Sequence, residues 1–102
     1  MLVIAVESAA EARSHAGTEV SVVGTARDAK LAAAIVTASG LVVYCLGLDR
    51  WPAEIAGKPV VARGTLEHTD RFVAVTGPGG EVGQGTSGPV WALRDCRYET
   101  VR

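Results

Sequence analysis

Residues 19–27 read Glu-Val-Ser-Val-Val-Gly-Thr-Ala-Arg, and residues 58–68 read Lys-Pro-Val-Val-Ala-Arg-Gly-Thr-Leu-Glu-His. In the first stretch Val20, Val22, Gly24 and Ala26 fall on one side of an extended chain. Glu19, Ser21, Thr25 and Arg27 fall on the other, and Val23 breaks the polar side. In the second stretch Val60, Ala62, Gly64 and Leu66 face one way while Arg63, Thr65 and Glu67 face the other. A period of two is the signature of a half-buried strand. Each stretch also has Gly-Thr in its middle, at Gly24-Thr25 and Gly64-Thr65. Glycine weakens a strand and marks a bulge, a sharp bend or a close backbone approach. Two such bends suit a small, strongly coiled barrel.

Between these strands, residues 31–48 carry no charge, a length near that of a membrane helix. Ser39-Gly40 near the middle divides the run into two short β-branched arms, so it reads as a hairpin of 31–37 with 41–46. Residues 49–57 then read as a short helix. Asp49 can cap it, Pro52 is tolerated in a first turn, and Gly57 ends it. At the N-terminus, residues 2–6 form a short strand candidate. Ser8 and Glu11 match a capping box opening a helix that stops at Gly17. Residues 76–89 hold six Gly and two Pro and read as a flexible loop. A last strand spans 90–101, with an irregularity near Asp95.

The expected fold is therefore mainly β. It is a small five-strand OB-like barrel with a short helix between its third and fourth strands, preceded by a short N-terminal strand and helix over 1–17. An SH3-like barrel would not place a helix there, and the OB order does. The 102 residues fit a single domain, and a domain of that size can bury a core of its own. Hydrophobic residues make up 48% of the chain, mostly Val and Ala, which favours strands built from branched and small side chains.

The residues argue against most chemistries. A net charge of −1 lacks the basic excess that phosphate neutralisation asks of a nucleic-acid binder. Cys45 and Cys96 form no CxxC pair and lie far from His15 and His68 in sequence, so no zinc spacing exists and no metal site is expected. Both cysteines fall in strand candidates, which reads as two buried thiols, with a disulfide between them left open. Gly83-Gln-Gly85-Thr-Ser-Gly88 is formally GxGxxG, but a strand-like Pro89-Val-Trp91 follows it where a phosphate site needs a helix. Glu67 and His68 diverge as strand neighbours, and neither histidine has a positioned partner. No catalytic residue and no cofactor is expected. The N-terminus lacks a basic region before its apolar run, so a secretory signal is not expected and the location reads as cytoplasmic.

Binding candidates remain. In OB barrels the second and third strands carry exposed aromatics that stack on ligands, and Tyr44 alone falls there. Trp51, beside Pro52, reads as a plug for one barrel end, and Trp91 reads as core first and binding second. Arginine pairs bidentately with carboxylates and is enriched at protein interfaces. The candidate binding residues are thus Tyr44, Arg27, Arg63, Arg71 and Trp91.

A wider pattern runs through Val22-Val-Gly-Thr-Ala26, Ala29-Lys30, Tyr44, Gly47-Leu48, Trp51-Pro52-Ala-Glu54, Gly57-Lys58, Val61-Ala-Arg-Gly64-Thr-Leu66, Gly83-Gln-Gly85-Thr, Leu93 and Tyr98. It resembles a family of small bacterial OB-like proteins over about residues 18–67 and 83–98. The Trp-Pro-x-Glu, Gly-Lys and Gly-x-Leu cluster is its most specific part. The chain departs from that pattern at Asp28, where the family has Asn, at Ala33, where it has Gly, at Cys96, where it has Ala, and at Tyr98, where it has Trp. The resemblance implies no catalytic residues. Some members resemble immunity proteins encoded beside bacterial toxins, which implies a protein partner by analogy. The function expected is a non-enzymatic module that engages a protein, in the finer reading a cognate toxin-neutralising immunity protein. The partner face expected is that of the first three barrel strands with the 76–88 loop. The alternatives are a nucleic-acid-binding OB domain and a small-ligand barrel.

Overall fold

The computed structural model describes residues 4–29, 32–69 and 90–101. Its elements are β1 (Ile4–Ala5), α1 (Ala9–His15), β2 (Glu19–Asp28), β3 (Ala33–Val36), β4 (Val42–Cys45), β5 (Pro59–Thr69) and β6 (Val90–Thr100). The sheet runs β1-β2-β3-β4-β6-β5, and β5 pairs back onto β2. Strands β2 to β6 therefore close into a five-strand barrel, with β1 added parallel to β2. The closing pair β4–β6 is parallel, and the other barrel pairs are antiparallel. This is the OB-like barrel expected from the sequence.

The alternation read from the sequence sets the core. Val20, Val22 and Ala26 of β2 and Val60, Ala62 and Leu66 of β5 are buried, with Ile35, Val43 and Leu93 from the other strands. The two glycines mark close approaches. A Cβ on Gly24 would strike the Val36 carbonyl, and one on Gly64 would lie 2.6 Å from the Arg94 carbonyl oxygen. Strands with side chains at these points could not come as close as the narrow barrel requires.

The uncharged stretch 31–48 forms the β3–β4 hairpin. Thr37, buried at its turn, donates from Oγ1 to the Glu7 carbonyl (2.7 Å), accepts from the Leu41 amide (3.1 Å) and so ties the N-terminal segment to the hairpin. The capping box at α1 forms with one change. Ser8 Oγ accepts from the Glu11 amide (3.2 Å), whereas the Glu11 carboxylate reaches the Glu7 amide (3.3 Å) and not that of Ser8.

Two expectations need correction. Residues 49–57 do not make a regular helix. They form turns, with the Pro52 carbonyl accepting from the Ile55 (2.9 Å) and Ala56 (3.0 Å) amides. Four residues lie between Pro52 and Gly57, too few to propagate a helix. What holds the segment is Trp51, only 3% exposed. Its indole N–H donates to the carbonyls of Arg27 (3.1 Å) and Ala34 (2.9 Å), and its amide donates to the Asp28 carboxylate (2.7 Å). Trp51 thus plugs one barrel end, as its sequence neighbours suggested. The second correction concerns the cysteines. They are not two buried thiols but a disulfide, Cys45–Cys96, with Cα atoms 5.4 Å apart.

Candidate interaction surface

The barrel has two unlike outer faces. On β3, β4 and the start of β6 the register places Ala34 beside Tyr44 and Tyr44 beside Ala92. These side chains point away from the core of Ile35, Val43 and Leu93, yet all three are buried, together with Ala32. They form a second apolar cluster on the outside of the barrel, joined by Ala29, Leu46 and Val90. Arg27 and Glu67 flank this row at its two ends, opposite Ala34 and Ala92.

On β2, β5 and the end of β6 the outer face is open and charged. Three rows cross it: Glu19, Thr65 and Arg94; Ser21, Arg63 and Arg97; Val23, Val61 and Glu99. Glu19, Val61, Arg63, Arg97, Tyr98 and Glu99 line an open groove of about 450 Å³. Val23, 46% exposed, continues the apolar floor of Val61. Tyr98 lies opposite the buried Ala62, on the inward side of β6, and its ring stands edge-on to Trp51 with centroids 4.7 Å apart.

Ion pairing across this face is uneven. Arg97 bonds the Glu19 carboxylate, and Arg94 lies 3.9 Å from that of Glu67. Arg63 stands directly opposite Arg97, a like-charge juxtaposition that is unfavourable in a sheet. Among the described residues Arg63 has no carboxylate partner. It is an exposed guanidinium over an apolar floor, with its nearest cationic neighbour already neutralised.

The structure scatters the residues singled out from the sequence. Arg63 lines the groove. Arg27 is exposed at the far edge of β2, beside a second depression of about 320 Å³ that also includes Val23, Thr25, Val36 and Pro59. Tyr44 is buried in the outer apolar cluster. Trp91 packs against the core, and its ring stacks on His68 with centroids 4.4 Å apart. Arg71 and the 76–89 loop lie outside the described residues. The sequence reading missed Glu19, Arg97 and Glu99 as groove residues. Glu19 already lay on the polar side of its alternating strand, and for Arg97 and Glu99 the signal was the irregularity near Asp95, because one extra residue reverses which side chains of β6 face out.

Among the described residues no three His, Cys, Asp or Glu side chains come together as a metal site, and no helix is long and apolar enough to cross a membrane. Comparison with protein families, with curated proteins and with solved structures finds no match to this chain.

Proposed function

We propose that this barrel is a non-enzymatic module that binds another protein across the β2–β5–β6 groove, with Arg63 receiving a carboxylate of the partner. The observation that carries this reading is Arg63 itself. It is an exposed arginine without an ion-pair partner among the described residues, on the outer face beside the exposed Val23 and the half-buried Val61. Arginine is enriched at protein interfaces and among the few residues that carry most of their binding energy. A partner surface suited to it carries an acidic side chain next to an aliphatic one. The toxin-neutralising role is the finer form of this proposal and rests on the family resemblance.

Two features weigh against the alternatives. Glu19 and Glu99 line the same groove as the arginines, and carboxylates there repel a phosphate backbone. The groove is open along the sheet, whereas small-molecule sites enclose most of their ligand. A cytoplasmic location is not part of this proposal, because the Cys45–Cys96 disulfide would be kept reduced in the cytosol.

The test is a comparison of two baits in nuclease-treated lysate of the host. The wild-type chain should retain a stoichiometric protein that Arg63→Glu loses. Equal recovery by both baits, or recovery that nuclease abolishes, would overturn the proposal.

A further inference from the structure

Three departures from a regular strand meet at one point of β6. Asp95, which is not glycine, has φ of +56°, a conformation uncommon for residues with a side chain. The ladder to β5 slips by one residue between Arg63 and Thr65. Gly64 lies at the slip, where a Cβ would come within 2.6 Å of the Arg94 carbonyl oxygen and 3.4 Å of the Cys96 Cα. The three are one device, a bulge with Asp95 as the extra residue.

The bulge has a specific consequence. Leu93 faces the core opposite Leu66, and Arg94 faces out opposite Thr65. Strict alternation would turn Cys96 outward beside Arg94. The extra residue reverses the order, so Cys96 packs against the core and meets Cys45, which is 1% exposed. An unbulged β6 would leave the two sulfurs on opposite sides of the sheet. The bond also sits where the barrel needs it. β4 and β6 pair at three positions only, ending at Cys45 opposite Leu93, and beyond that point β6 continues with β5 alone.

We infer that the Cys45–Cys96 disulfide is the working state of this protein, a covalent lock on the β4–β6 closure that is formed in an oxidising compartment. Disulfides persist in such compartments and are kept reduced in the cytosol. Each thiol gives up a proton, and the pair gives up two electrons to the disulfide of a thiol–disulfide oxidoreductase, which leaves as its dithiol. The lock joins residues 51 apart in sequence, a long loop whose closure removes much of the freedom of the unfolded chain. The inference does not depend on the partner proposed above.

The deciding experiment is thiol blocking in the native host. Cells are quenched in acid, the extract is treated with N-ethylmaleimide without reductant, and the intact mass of the chain is measured. The expected mass carries no maleimide until the protein is first reduced. A maleimide on each cysteine in the unreduced extract would overturn the oxidising compartment. Thermal unfolding of the purified chain then tests the lock. Dithiothreitol, or the Cys45→Ala/Cys96→Ala double substitution, should lower Tm by more than ~10 °C. An unchanged Tm in dithiothreitol would overturn the lock, and that readout does not require the double variant to fold.

Discussion

The two outer faces of the barrel are built from the same period-two alternation and have opposite fates. On β3 and β4 the outward residues are Ala34 and Tyr44, and both are buried. On β2 and β5 they are Glu19, Arg63, Val61 and Val23, and they stay open. The strand β6 serves both faces. Its first part adds Ala92 to the closed face, and after the bulge it adds Arg97 and Glu99 to the open one. A face that is buried contributes to stability, and a face that remains open is free to bind. Substitutions on the two faces should therefore separate into two kinds of effect.

The largest effect is expected on the closed face. Tyr44→Ala removes the one ring from the outer cluster and leaves Ala32, Ala34 and Ala92 with only the partly buried Leu46 and Val90 as larger neighbours. Large aromatic deletions in buried sites cost about 3–5 kcal/mol. Urea unfolding should show a loss of that order. A loss below ~1 kcal/mol would mean that Tyr44 is not structural, and the contrast between the faces would fail.

Next comes the hinge between the faces. Gly64→Ala places a methyl against the Arg94 carbonyl and the Leu93 Cβ, 3.1 Å away. The obstacle is backbone, so β6 itself must shift, at a cost of about 1–3 kcal/mol. That shift moves Cys96 and Arg97 together. The variant should lose stability and should also form the disulfide incompletely, read as free thiol per chain in the purified protein. A variant that loses stability but oxidises fully would show that the bulge does not set the position of Cys96.

Much of this architecture was legible in the sequence. Alternation in 19–27 and 58–68 fixed which residues face the core, and the two mid-strand glycines marked the tight approaches. What escaped was anything that depends on registry between distant strands. Cys45 sits in an unremarkable apolar run and Cys96 between the charged Asp95 and Arg97, and only the register of β4 against β6 brings them together. The irregularity near Asp95 was visible. Its effect on Arg97 follows only once Arg63 and Thr65 are known to lie on either side of the slip. The segment 49–57 misled in the opposite direction. Its cap and terminator signals are those of a helix, but a buried tryptophan with two carbonyl acceptors holds it as turns. Tyr44 could be placed on a strand face from sequence, yet whether that face is open or covered depends on its neighbours Ala34 and Ala92 across the sheet.

The smallest effect should be the most telling about the open face. Glu19 bonds Arg97, and their side chains are 39% and 66% exposed, so the pair is hydrated and worth little to the fold. Glu19→Gln should leave the unfolding midpoint nearly unchanged. Its effect belongs to binding. The substitution removes a carboxylate that competes with the partner's for the Arg63–Arg97 pair, and it makes the groove more positive. Affinity for a partner presenting an acidic residue should rise, by roughly 2- to 5-fold at low salt, and the gain should shrink as salt screens exposed charges. Calorimetric titration with the partner recovered on the wild-type bait, at two salt concentrations, gives the answer. A fall in affinity would mean that the partner reads Glu19 itself, so that the groove recognises a cation and Arg63 is a bystander. A rise would place the partner's carboxylate between the two arginines, where the bulge at Asp95 has put the second of them.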